Sequence, residues 1–329
     1  MDQAFIEEIF NIKDDRTFRA AALKVFHFQS LHTPVYRDYL ATMGIEPERI
    51  REPEEIPFLP IEFFRSHSVL AEGKEPEMIF ESSGTTGINP SRHYVADIAI
   101  YRKSFMNGFR RFYGDPAQIC ILALLPSYLE REGSSLVYMM DHLIKKSVQP
   151  GSGFYLDNFG ELSSILQKRM KDRVPTLLMG VSFALLDLAE QYPQQLDKHI
   201  IVMETGGMKG RREELIRSEL HQQLKEAFGI GHIHSEYGMT ELLSQAYSVG
   251  EGLFKSPPWM KILIRDPNDP LSLLSTGQTG GIDIIDLANI NSCSFIATGD
   301  LGKIHKDDRF EVLGRYDSSD IRGCNLLVS

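Results

Sequence analysis

The chain has 329 residues, 42% hydrophobic and 24% charged, a composition ordinary for a globular protein and a length that suits one large domain or two smaller ones. Its formal net charge of −10, from 35 basic and 45 acidic residues, argues against nonspecific binding to nucleic acid or anionic membrane, since both need a positive surface. The start MDQAFIEEIFNIKDD lacks a basic, apolar signal sequence, and no apolar run approaches the roughly 20 residues of a bilayer span, so a cytoplasmic protein without an integral membrane segment is expected.

In chain order, Phe5, Ile6, Ile9 and Phe10 repeat at helical spacing, and Ala20 to Leu31 continues the pattern. Pro53, Pro57 and Pro60 mark an irregular crossing. Short apolar runs then alternate with amphipathic stretches. PEMIFESS predicts a strand, DIAIYRKSFMNGFRRF a helix, AQICILALLP a buried strand and SSLVYMMDHLIKK a helix. VPTLLMG and HIIVMETGG predict strands, with the helix VSFALLDLAEQY between them; RREELIRSELHQQLKEAFG predicts a long helix and GHIHSEYG a further strand. Such alternation implies an α/β fold with a mostly parallel sheet covered by helices. After about Leu242 only short β-type runs follow, separated by Gly, Pro, Asn and Asp, which predicts a small antiparallel β-rich subdomain. The expected division is 1–242, 243–313 and a tail at 314–329.

The segment ESSGTTGINPSRHY follows the first of these strands. Gly84 and Gly87 let successive backbone N–H groups point inward, and Ser82, Ser83, Thr85 and Thr86 add hydroxyls, a set that suits anionic oxygens. The P-loop pattern GxxxxGK[ST] is absent, and a polar turn is the alternative. Further along stand METGGMKG with Gly206 and Gly207, SEYGMTE, ATGDLG and LGRYDSSDIRG. Cys120, Cys293 and Cys324 have no CxxC spacing, which excludes a zinc site of that type.

Taken in this order, the motifs resemble those of the adenylate-forming enzymes, the superfamily of acyl-CoA synthetases and AMP-ligases. The resemblance implies a large domain of mostly parallel sheets flanked by helices, with ATP and Mg²⁺ as cofactors. It makes Ser82, Ser83, Gly84, Thr85, Thr86 and Gly87 the phosphate loop, with Arg92 standing where lysine is customary. By the same resemblance Gly206 and Gly207 pack against adenine, within a site completed by Gly238 and Met239, and Tyr237 stacks near the base. Thr240 contacts the α-phosphate, Glu241 holds the metal, Asp300 accepts from the ribose hydroxyls, and Arg315 lies in the hinge.

The sequence ends shortly after that hinge, without the superfamily's usual C-terminal small domain. Together with PSRHYV, LLPSYLEREGSSLVYMM, ETGGMKGR and IRGCNLL, this is closest to the LuxE-like acyl-protein synthetases. That branch implies activation of a fatty acid and transfer of the acyl group to Cys324; CoA and a phosphopantetheine carrier are alternative acceptors, and an acyl-accepting reductase or carrier protein is the expected partner. Thiolate nucleophilicity suits Cys324 to the step, while Cys120 and Cys293 read as structural. Pro126, Ser127, Tyr128, Ser134, Ser135 and the stretch 180–186 are expected near the acyl pocket. A nucleotide- or acyl-binding protein without turnover, and a subunit that needs a partner, are the competing functions.

Overall fold

The computed structural model describes residues 2–82, 89–126, 133–206, 212 and 215–315. Helices α1 (Gln3–Phe10), α2 (Asp15–His32) and α3 (Pro34–Thr42) open the chain. Asp14 starts α2 with a capping box shared with Thr17, and Pro34 starts α3 where its missing N–H costs nothing. Next come β1 (Leu59–Pro60), the short helix α4 (Phe63–Ser66), and a hairpin of β2 (Met78–Glu81) and β3 (Arg92–Val95). The body follows as α5 (Ile98–Tyr113), β4 (Cys120–Leu124), α6 (Ser135–Lys146), β5 (Gly153–Tyr155), α7 (Phe159–Asp172), β6 (Thr176–Gly180), α8 (Ser182–Gln191), β7 (Ile200–Glu204), α9 (Arg217–Phe228) and β8 (His234–Tyr237). The last part holds β9 (Ala246–Ser248), β10 (Phe254–Lys255), β11 (Met260–Arg265), β12 (Thr279–Asp286), β13 (Phe295–Ile304) and β14 (Phe310–Arg315).

The expected α/β class holds, and its two textures share a single sheet. Strands β5, β4, β6, β7 and β8 run parallel, and β8 pairs antiparallel with β9. From β9 the same sheet continues through β10, β14, β13 and β12 to β11, each pair antiparallel. The seam is therefore β8–β9, where Tyr237 pairs with Ala246.

The N-terminal helices pack on the antiparallel part. Leu59 pairs with Ile296, the Gln29 amide donates to the carbonyls of Asn289 and Ile290, and the Thr33 hydroxyl donates to the Ser292 carbonyl. Phe26 and Tyr36 meet the ring of Phe295 at 5.9 and 6.0 Å.

Several local readings change. The hairpin strand β3, the short β5 and helix α7 join the predicted elements, and the long helix begins at Arg217 instead of position 211. Arg212 lies ahead of it, held by Asp187 and Glu190 of α8. Cys120 and Cys293 are buried free thiols, as a structural role requires; burial pushes Cys293 up to about 12 and so suppresses its nucleophilic form. No described helix is long and apolar enough to cross a membrane.

Candidate functional site

The parallel strands carry their carboxyl ends to one side of the sheet, the side on which open α/β sheets bind ligands. β8 ends there at Tyr237, and a turn over 238–245 reverses the chain into β9. The Tyr237 hydroxyl donates to Asp300 Oδ2 at 2.8 Å, and Arg315 Nε lies 3.5 Å from Asp300 Oδ1. Asp300 and Arg315 are direct partners across β13 and β14, so sheet register brings them together. The Tyr237 ring packs edge-on to Phe254 and Phe310, with centroids at 5.9 and 5.8 Å. Burial, then Asp300, pushes its hydroxyl well above the ordinary value, so it stays a donor to that carboxylate. In this arrangement Tyr237 fixes Asp300; the resemblance alone assigned it to adenine.

Thr240 and Glu241 sit in the turn after β8, and other elements grip them from behind. His93 Nδ1 lies 2.9 Å from the Thr240 carbonyl oxygen, and Asn289 Nδ2 donates to the Glu241 carbonyl at 2.7 Å. The next residues are held by Asp286, which accepts from the Leu243 N–H at 2.8 Å and from the Ser244 hydroxyl at 2.6 Å. The Glu241 carboxyl is buried; desolvation pushes it above its usual range, opposed by a hydrogen bond from Ser91 and by the charges of Arg315 and Arg65. A desolvated carboxylate is a fit oxygen ligand for a cation. Among the described residues no cluster of three or more His, Cys, Asp and Glu could hold a metal ion.

Ser82 and Ser91 close the mouth of the glycine-threonine segment. Ser82 N–H donates to the Ser91 carbonyl at 3.0 Å, and Ser91 N–H donates to the Ser82 hydroxyl at 2.9 Å. Ser83, Gly84, Thr85, Thr86, Gly87, Gly207 and Cys324 lie outside the described residues, as do Ser127 and Tyr128. Arg92 turns away from the turn. It faces Glu81 across the hairpin, with Nε at 2.9 Å from the carboxylate, and its side chain is 54% exposed. Strand alternation explains this: Ser91, His93 and Val95 are buried while Arg92 between them is exposed. The stretch 180–186 is fully buried core, Ser134 caps α6, and the Ser135 carbonyl accepts from Tyr101.

Residues the motifs did not single out complete the site. Glu204 ends β7, and Glu236 stands next to Tyr237 on β8. Burial opposes ionisation of Glu204, but His221, Arg217, Ser235 and the N–H of Gly206 hold its carboxyl at about 2. Burial pushes Glu236 up to about 7, despite a 2.5 Å hydrogen bond from the Thr205 hydroxyl. A Cβ at Gly238 would stand 2.6 Å from Glu236 Oε1, so a larger residue there would displace that carboxyl, and Met239 is half-buried against the core. His93 Nε2 and Asn289 Oδ1 are buried with no hydrogen-bond partner among the described residues, each a cost of about 1–3 kcal/mol unless water supplies one. Both residues border one small hollow behind the turn. A period-two reading of SRHYV was the available signal for Ser91 and His93; Asn289 and Asp286 had none, because only pairing brings them to the turn.

Residues 175–329 match the family described as "Acyl-protein synthetase, LuxE". Among solved structures, MatB from Rhodopseudomonas palustris superposes with a TM-score of 0.52 at 18% identity, covering 72% of this chain. The chain spans 47% of that protein, about half its length. A 2-hydroxyisobutyryl-CoA ligase, solved with 2-HIB-AMP and CoA in the thioesterification state, gives a TM-score of 0.66 at 15% identity, covering 92% of this chain and 68% of its own. The same ligase in the postadenylation state gives 0.65 at 14% identity, with the same coverage. No curated protein matches the sequence. The fold is that of the adenylate-forming acyl-CoA ligases, and the C-terminal part of the chain is LuxE-like.

Proposed function

We propose that this chain activates a carboxylic acid, a fatty acid in the first instance, as its acyl-adenylate and passes the acyl group to a thiol. One observation carries the reading: Tyr237, Asp300 and Arg315, from three strands, converge beside a turn that presents Thr240 and Glu241 next to the Ser82–Ser91 mouth. That grouping supplies acceptors for ribose hydroxyls at Asp300, a cation at Arg315, a hydroxyl donor at Thr240 and a metal-binding carboxylate at Glu241.

In the first step a substrate carboxylate oxygen attacks the α-phosphorus of ATP, and the bond to pyrophosphate breaks, with pyrophosphate leaving on its own electron pair. Charge builds on the phosphoryl oxygens, and donors fixed in advance lower that barrier because they need not reorganise. Mg²⁺ held with Glu241 would neutralise the triphosphate. In the second step a thiolate attacks the acyl carbon and AMP departs. Cys324 is the proposed thiol, followed by transfer to a reductase or carrier protein; CoA and phosphopantetheine are the alternative acceptors.

ATP–pyrophosphate exchange over a panel of acids tests the first step. Exchange driven by one acid class is expected, and ATP binding without exchange by any acid makes the chain a nucleotide-binding protein instead. The second step is tested with labelled acid and ATP: hydroxylamine-labile label on the protein is expected, and its retention in Cys324→Ser removes Cys324 from the pathway.

A further inference from the structure

We infer that His93 and Asn289 act together as a clamp on the Thr240–Glu241 turn, positioning residues that set where its side chains meet nucleotide and metal. The inference rests on the adenylation reading above and adds to it two residues that touch no substrate. They come from distant parts of the chain, β3 and the short 3₁₀ turn after β12, yet grip successive backbone carbonyls at 2.9 and 2.7 Å. Both side chains are fully buried, and the His93 ring is fixed edge-on against Phe64 at 5.7 Å. A carbonyl can only accept, so His93 Nδ1 carries the proton and Nε2 is left a bare acceptor. By the same reasoning Asn289 spends its amide N–H on Glu241 and leaves Oδ1 bare.

An apolar side chain would fill either position without stranding a buried acceptor. What the two polar residues add is the donor, and both donors point at the one turn that carries the phosphate and metal ligands. Ser91, two residues before His93 on the same buried face, donates to the Glu241 carboxylate. The strand leaving the glycine-threonine segment is thereby tied to both Thr240 and Glu241, so the two phosphate-facing segments hold one another in register.

The test compares His93→Asn, whose amide places an N–H where Nδ1 stands, with His93→Gln, whose amide places it where Nε2 stands. Amide hydrogen–deuterium exchange over positions 238–243 is followed without nucleotide, alongside pyrophosphate exchange with an acid the wild type accepts. His93→Asn is expected to keep wild-type protection within about twofold, whereas His93→Gln loses roughly tenfold at that segment and no protection elsewhere. A drop of about tenfold or more in kcat, with the KM for the acid unchanged, accompanies the loss in His93→Gln. Asn289→Leu, which keeps the volume and removes the donor, behaves like His93→Gln. Equal protection in the two His93 variants, or a loss spread evenly over the chain, overturns the clamp. Should a His93 variant fail to fold, Asn289→Leu decides by the same readouts. A wild type that exchanges pyrophosphate with no acid removes the adenylation reading, while the hydrogen-exchange comparison still decides the clamp.

Discussion

Strands β4 and β6, in the parallel part of the sheet, bury every residue, and Thr176 alone among them carries a hydroxyl. Strands β12 and β13, in the antiparallel part, bury Asp283, Asp286 and Thr298 among their apolar residues. There the Arg265 guanidinium passes beside Gly281, whose Cβ would stand 2.6 Å from Cζ, to reach Asp283 at 2.6 Å and the carbonyls of Ile282 and Thr298. Apolar packing is non-directional and fills space, whereas buried hydrogen bonds fix orientation and fail sharply when one partner is lost. The polar half contributes Asp300 and Arg315, together with the supports Asp286 and Asn289, so the part of the sheet that specifies direction is also the part that shapes the site.

Substitutions on either side of the seam separate the two kinds of interior. The largest effect is expected from Arg265→Met, which strands the Asp283 carboxylate in the core and should cost about 4 kcal/mol in chemical denaturation. The double variant Arg265→Met with Asp283→Leu should recover most of that loss, because no buried charge is left unpaired. A double variant as unstable as the single one would mean that Arg265 acts by volume and not by charge.

Next in size is a pH effect at the seam itself. Glu236 is raised to about 7 in the folded chain, so the protonated form is the favoured one there. Its contribution is fully present below the unfolded carboxyl range and is lost as pH rises through about 7. Wild type should therefore lose about 3 kcal/mol relative to Glu236→Gln between pH 4 and pH 8, read from paired denaturation curves. Parallel curves across that range would place Glu236 in a wetter setting than its burial indicates. The smallest effect belongs to the parallel core: Leu178→Met keeps volume and should cost about 1 kcal/mol. A loss as large as that of Arg265→Met would erase the distinction between the halves.

Much of this architecture was legible before folding was considered. The apolar runs ICILALL, PTLLMG and HIIVME are strands because nothing polar interrupts them, and the loss of helical periodicity after Leu242 marks the change to antiparallel pairing. YGMTE and TGD are local motifs, so their residues could be named from a family resemblance carried by a few adjacent positions. The supports of the site were hidden for a different reason. His93 lies in a four-residue strand of mostly polar residues, where alternation and not hydropathy decides which side chain turns inward, and Arg92 drew attention while facing out. Asn289 reaches Glu241 across 48 positions, and Gln29 reaches Ser294 across 265, distances set by register that no short window of sequence contains.

The stitching of α2 and β1 to residues 289–297 also has a consequence in time. A ribosome delivers the aromatic residues Phe26 and Tyr36 long before Phe295, the ring they pack against, exists. At ordinary elongation speeds that interval is on the order of tens of seconds. Through it α2 and α3 have no finished core to bury against and stand open to chaperones or to misassembly. The earlier-made segment thus finds its place late, and β13 is what releases it from waiting.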